Sequence, residues 1–507
     1  MKIKRIAIVG GGTAGWLAAS HLGAELSADK ELEITVIESA DVPTIGVGEG
    51  TVPYIMNGLK RFGISEAELI LSCDVTFKQG IKFVNWLNPN IHGEGNYYYH
   101  PFDVPYPAGF DVTPYWVSHA KNLPFDYVGI QSRICELGLS PKKISSEQYS
   151  GVLNYAYHFN ATKFFKLLSK NAQEKFNVVH KVATIVGADK DDSGNIMNLI
   201  ADTGEKFAFD FYVDCSGFSS LLLGKELGVP FISKATELFI DTALVQQVPL
   251  DGQEELNPYT TATAHKAGWI WDIPLTTRRG TGFVYSSNYM EHEEALSLYA
   301  NYLGIPPDSF LPRKIPMNVG YRKNFWSNNC VALGLAQGFV EPLEATSILV
   351  ADFSAELLVR NFPRHSEDIA TLTPYYNKVV THVWDRVIDF IKLHYFISDR
   401  NDSPFWLDNQ SSEGLSETLR ERLEIWKIRP PQKSDFFSRF DLFGADNFLY
   451  VLYGMKYKTR ELIITPGEIN RSRRLIEENE SLVEKSASML LKQKDWLMRL
   501  NAAVSRV

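Results

Sequence analysis

Apolar residues run unbroken from Ile6 to Val9, a glycine turn follows, and a 3.6-residue apolar rhythm then carries from Trp16 to Leu26. A second apolar run, Ile34 to Ile37, ends in Glu38. This succession predicts a βαβ unit. Alternation over 74–86 predicts a strand with Val75, Phe77, Ile81 and Phe83 on one face and Thr76, Lys78, Gly80, Lys82 and Trp86 on the other. Further strands are predicted at 177–187, 196–213 and 281–286, and a third apolar strand at 329–338 closes in a glycine-rich turn. Beyond 346 the period is helical, over 347–361, 366–396, 413–427 and 467–503. Residues 88–150, rich in Pro, Gly, Tyr and Phe, lack periodicity and read as an insertion or long loops over a site. The fold class is therefore α/β (α+β), with a Rossmann-like nucleotide module at 1–360 and a mainly helical module at 361–507.

The turn between the first strand and helix, Gly10-Gly11-Gly12-Thr13-Ala14-Gly15, has G-x-G-x-x-G spacing. Gly10 makes the turn, Gly12 lets backbone approach a pyrophosphate, and Gly15 lets helix pack on strand, with Thr13 and Ala14 between them. Glu38 is placed to accept hydrogen bonds from a ribose, which favours FAD or NAD over NADP. A single fingerprint implies one cofactor site; if it holds FAD, electrons come from another protein or by transient collision. The loop Ile45 to Pro53 carries Gly48 and Glu49 and suits backbone against a flat ligand, or is a plain surface loop. Asp214, at the end of the strand Phe209 to Val213, and Gly334 and Gly338, in the turn closing 329–338, mark further places where backbone meets a nucleotide.

Three constellations carry candidate chemistry. Trp269 and Trp271 share one face of a strand that Pro274 ends, forming an aromatic wall or an ordinary core strand. Thr346 reads as the N-cap of the next helix, leaving amides from Ser347 onward for a small anion or flavin oxygens, with Glu344 beside them as base or as a first-turn acid. Lys78 reads as a solvated or edge lysine unless it is desolvated or aimed at a ligand.

Composition narrows the classes. The 507 residues are 45% hydrophobic and 22% charged, with a net charge of -9 and no basic block, which argues against nucleic acid as partner. No long uncharged apolar stretch predicts a membrane span. Four scattered cysteines and no HExxH or CxxC exclude the usual metal spacings, so no metal is expected, and no GxSxG appears. Without a signal peptide pattern, the chain reads as cytoplasmic.

Read together, GGGTAGW at 10–16, GVGEGTVP at 46–53, FKQGIKFVNW at 77–86, YYHPF at 98–102, WIWDIP at 269–274 and GFVEPLEAT at 338–346 resemble, in order and spacing, the flavin-dependent halogenases of the tryptophan halogenase family. DFIKLHY at 389–395 and YVLYGMKY at 450–457 extend the resemblance over nearly the whole chain. It implies an FAD module like that of flavin monooxygenases, with FADH2 supplied by a separate flavin reductase. Reduced FAD and oxygen then give a C4a-hydroperoxide, and a halide ion, chloride or bromide, attacks it to release hypohalous acid. The lysine matching Lys78 guides that oxidant to an indole or other electron-rich aromatic, tryptophan among the candidates, and the glutamate matching Glu344 polarises it or takes the ring proton. His100 and Phe102 match positions lining the substrate pocket; Trp269 and Trp271 match tryptophans that keep substrate from the flavin. The halide rests on amides matching Thr346 and Ser347. Here Ala345 and Ser347 replace the Ser and Gly of F-x-x-P-x-x-S-x-G, so a Cβ and a hydroxyl crowd that cradle and a shift toward bromide is expected. Leu335 stands where members commonly carry Asn. Homodimerisation is a family-level expectation. Two alternatives stay open: a two-component monooxygenase that has lost halide use, and a flavin-binding protein without turnover.

Overall fold

In the computed structural model, residues 1–40, 48–250, 254–306 and 310–504 are described. The strand Arg5–Val9 is buried from its second residue onward because it lies inside a six-stranded sheet. Glu33–Glu38 and then Val179–Val182 flank it on one side, and Phe211–Asp214, Cys330–Ala332 and Trp326–Ser327 on the other. All pairings are parallel except the last. In such sheets ligands bind beyond the carboxyl ends of the strands, where the strand order reverses. Here that place is the Gly10 turn. Gly10 has φ +116°, and a Cβ on it would lie 2.2 Å from the Cys215 carbonyl oxygen, so only glycine fits. The helix Thr13–Leu26 that follows packs on Ala161–Phe176 and Thr346–Arg360.

A seven-stranded sheet stands beside this unit, in the order Arg313–Pro316, Thr242–Pro249, Arg278–Tyr285, Gly268–Pro274, Thr260–His265, Gly80–Val84 and Tyr97–Pro101. Its one parallel pairing joins Thr260–His265 to Gly80–Val84. A small three-stranded sheet, Gly48–Gly50, Ala156–Asn160 and Thr76–Lys78, packs against strands Gly268–Pro274 and Arg278–Tyr285 of the seven-stranded sheet.

Several expected elements are divided. The strand over 74–86 breaks at Gln79: Thr76–Lys78 belongs to the small sheet and Gly80–Val84 to the large one. Gly80, at φ +156°, allows the switch, since a Cβ there would meet the His100 carbonyl oxygen at 2.5 Å. The stretch 177–187 contributes Val179–Val182 to the first sheet and the start of Ile185–Lys190 to another. Region 196–213 holds three strands, with Gly204 turning between the first two. The last helix is two, Pro466–Met489 and Gln493–Val504. Within 88–150 the strand Tyr97–Pro101 escaped the pattern because Tyr98, Tyr99 and His100 are buried on both faces, so nothing alternates.

One hydrophobic core runs from Ile6 through Trp86 and Trp269 to Trp384, Phe390 and Trp426. Among the described residues, no helix is long and apolar enough to cross a membrane, and no cluster has the makings of a metal site.

Candidate active site

A cavity of about 650 Å³ opens at the carboxyl end of the first strand. Gly10, Gly12, Thr13 and Ala14 form one wall, and Glu38, Glu49, Gly334 and Gly338 line others. Gly15 lies behind, where a Cβ would sit 1.9 Å from the Gly10 carbonyl oxygen, and Gly12 faces open space. This cradle fits a dinucleotide: bare backbone and a helix N-terminus at the turn, a carboxylate beyond it, and a wide apolar chamber for a flat ring. The Glu38 carboxylate lies over Gly11 and takes a hydrogen bond from His180 Nε2 at 3.0 Å, a partner that sequence spacing gave no sign of.

Two cofactor expectations change. Asp214 does not line the cavity; its Oδ2 accepts from the Leu222 and Leu223 amides at 2.8 Å each and its Oδ1 from Ser216, so it fastens its own turn. Of the expected glycine loop, Ile45 to Val47 lie outside the described residues, while Gly48–Gly50 is a strand paired with Ala156–Asn160. Burial pushes the Glu49 carboxyl up to about 7, leaving an acid at the cavity wall that exchanges its proton near neutrality.

Lys78 joins this cavity to a second group of residues. The side chain is buried, and its Nζ has no hydrogen-bond partner or ion pair among the described residues. Nζ lies 5.5 Å from the centre of the Phe102 ring and beside Gly50. Burial lowers its pKa to about 8, with the Glu344 charge opposing the shift. His158 beside it is held between the Thr76 and Thr260 hydroxyls at 3.0 and 2.9 Å. Burial, then the Lys78 charge, push that imidazole well below its usual range. The solvated-lysine reading fails because the chain changes sheets at Gln79 and buries both faces of the preceding strand.

Glu344 does not line the cavity. Both of its oxygens lie 3.0 Å from His100 Nδ1, and Oε1 lies 2.9 Å from His394 Nε2. Burial alone would push its carboxyl up, but the hydrogen bonds from His100 and His394 oppose it and hold the group below the usual carboxylate range. His394, the residue that sequence reasoning missed, was legible only as part of DFIKLHY. Asn447 stands behind His100, Nδ2 to Nε2, at 3.1 Å.

At the other expected positions, Ala345 rather than Thr346 is the N-cap, at φ +55° and without a side-chain cap, and the helix begins at Thr346. Ala345, Thr346 and Ser347 line the cavity, with Ser347 the most exposed. Uncapped first-turn amides there present a donor set that suits a small anion. Trp271 also lines the cavity, seated over Gly282, while Trp269 is buried 6.2 Å away, centroid to centroid, and does not reach the wall. The expected two-indole wall is a single indole.

Comparison with known proteins decides the lineage. The sequence profile of the family described as tryptophan halogenase matches residues 5–464. The chain belongs to the tryptophan halogenase family. It is 34% identical to Tryptophan 6-halogenase SttH of Streptomyces toxytricini over 474 residues, 89% of each chain. Among solved structures, the tryptophan halogenase from Shewanella frigidimarina superposes with a TM-score of 0.93 at 37% identity, covering 98% of both chains. BrvH, a flavin-dependent halogenase from Brevundimonas sp. BAL3, gives 0.86 at 29% identity, over 98% of this chain and 99% of its own. The protein is thus a flavin-dependent halogenase, an enzyme that uses FADH2 and halide, an aromatic substrate and a separate flavin reductase.

Proposed function

We propose that this halogenase places halogen on an electron-rich indole, tryptophan included, with Lys78 directing the electrophile and Glu344 serving the ring. The buried, unpaired amine of Lys78 carries the reading, because it lines the cofactor cavity and also lies over the Phe102 ring and within electrostatic reach of Glu344. Bound FADH2 supplies the activation of oxygen that turns halide into an electrophile. Gly10, Gly12 to Ala14, Gly334 and Gly338 would hold the dinucleotide backbone-first, Glu38 its ribose, and the amides of Thr346 and Ser347 the halide. A desolvated amine suits capture of the oxidant, since its neutral form is well populated near pH 8. Glu344, ionised between two imidazoles, is a weak base, but the ring cation formed on halogenation is a strong acid, so a weak base suffices. Phe102 offers a ring face to the aromatic, His100, with both nitrogens engaged by Glu344 and Asn447, can offer only its ring, and Trp271 closes the cofactor side. Four free cysteines support a reducing compartment, in keeping with the cytoplasm.

The test is an aerobic assay with FAD, a flavin reductase and NADH, offering indole and tryptophan with chloride and bromide in parallel. Mass spectrometry is expected to show the halogen isotope pattern, and Lys78→Ala to abolish it while FAD still binds. Oxygen-only products would replace this reading with a monooxygenase, and product from Lys78→Ala would remove Lys78 from the mechanism.

A further inference from the structure

The hydrogen bonds behind Glu344 fix more than its position. His394 Nδ1 lies 2.8 Å from the Phe390 carbonyl oxygen, which can only accept, so Nδ1 carries a proton. The opposite nitrogen, Nε2, is the one 2.9 Å from Glu344 Oε1. That contact holds one proton, and whichever partner lacks it must accept. If Glu344 is a carboxylate, His394 is protonated on both nitrogens; if His394 is neutral, Glu344 is a carboxylic acid.

His100 is set the other way. The Asn447 Oδ1 accepts the Gly444 amide at 2.8 Å, which identifies the atom facing His100 as the amide nitrogen, a donor. His100 Nε2 therefore accepts from Asn447, Nδ1 carries the only proton, and a neutral His100 donates to Glu344. It cannot supply the charge that a buried carboxylate requires.

The groups facing Glu344 from every side are few. Strand Tyr97–Pro101 brings His100 and Tyr98, strand Thr76–Lys78 brings Lys78, and helix Ile369–Phe396 brings His394. The Lys78 amine makes no ion pair with Glu344. His394 is fully buried and packed among the rings of Phe83, Trp86 and Phe390, with Glu344 as its one acid within ion-pairing distance among the described residues.

We infer that His394 is a positioning residue for the halogenation step: protonated on both nitrogens, it keeps Glu344 a carboxylate and aims its Oε1. This inference rests on the role proposed for Glu344 and adds the group that makes this role available. His394 does not line the cavity. Its contribution is a buried positive charge whose proton placement the Phe390 carbonyl dictates.

The test compares the wild type with His394→Gln and His394→Ala. Gln can donate to Glu344 but brings no charge, so kcat is expected to fall 10- to 100-fold at pH 7 with KM for the aromatic unchanged within twofold. The acid limb of kcat should move up by at least one pH unit, as Glu344 becomes harder to ionise. Added imidazole should restore turnover to His394→Ala, and pyrazole, equal in shape but scarcely basic, should not. Equal rescue by pyrazole, or a His394→Gln profile that matches wild type, would overturn the inference and reduce His394 to packing. A readout independent of turnover guards against a wrong substrate or a wrong reaction. Nitrogen NMR of histidine-labelled protein is expected to show both His394 nitrogens protonated at pH 7, and one of them unprotonated in Glu344→Gln. An unprotonated Nε2 in the wild type would refute it even if halogenation proceeds; absence of halogenated product with the expected NMR signature would instead count against the function alone.

Discussion

Lys78 is where the site and the stability of the chain conflict most directly. Its ammonium is buried without a partner, and its pKa falls to about 8 from 10.5. Because the folded pKa is the lower one, the unfolded chain binds more protons between pH 8 and 10.5, so the group's contribution to stability rises with pH across that window. Below pH 8 the full penalty applies, roughly 3 kcal/mol from a shift of this size. Lys78→Met is therefore expected to melt a few degrees above wild type at pH 7, with the gain shrinking toward pH 10.5, while losing all halogenation. A melting temperature that drops equally at both pH values would show that the ammonium is not the source of strain. None of this was legible in FKQGIKF, whose alternation suggests one half-exposed strand. The sheet change at Gln79 buries both faces, and the resemblance to known halogenases, not the strand pattern, favoured a role for the lysine over a solvated one.

At the scale of elements, the sheet that carries Trp271 shows how a strand shapes the chamber by what it omits. Gly282 lies directly across from Trp271, and a Cβ at 282 would fall 2.1 Å from the indole. Gly282→Ala must push that ring away from its strand. Overpacking of this kind costs about 1–3 kcal/mol, so a melting temperature lowered by a few degrees is expected together with weaker FAD binding, read by titration of flavin fluorescence. Unchanged flavin affinity would mean that Trp271 does not shape the chamber. The first βαβ unit was legible because a buried parallel strand, a glycine turn and a helix each leave a local signature. The long helix Ile369–Phe396 was legible for the same reason, but not the role of His394 upon it, since its partner Glu344 lies on a different segment. Tyr97–Pro101 and the separate strands of 196–213 were hidden by burial on both faces and by short turns.

Across the whole molecule, buried acids pull the pH dependence of stability in opposite directions. Burial pushes Glu49 and Glu341 up to about 7, and Asp126 and Asp389 to about 6, so the folded chain binds extra protons above pH 4 and loses stability as pH rises through 5 to 7. Glu356, held at about 2 against the same desolvation by its hydrogen-bonding partners, and Glu344, held below the usual carboxylate range by its own, stabilise the fold above pH 4.5 and lose that contribution as pH falls below it. Glu341 tests the balance most cleanly, because it is fully buried, lies outside the cavity wall, and neither oxygen has a well-formed hydrogen bond. The nearby Tyr395 hydroxyl and Lys392 ammonium favour its ionised form without offsetting burial. Glu341→Gln resembles the protonated wild type at pH 5 and removes a charge that costs up to roughly 3 kcal/mol at pH 8.5. The melting temperature of the variant relative to wild type, followed without added FAD, is expected to climb by a few degrees between those pH values. A difference that stays flat with pH would place an ionised Glu341 in the folded chain throughout, paired more strongly with Lys392 than its surroundings indicate.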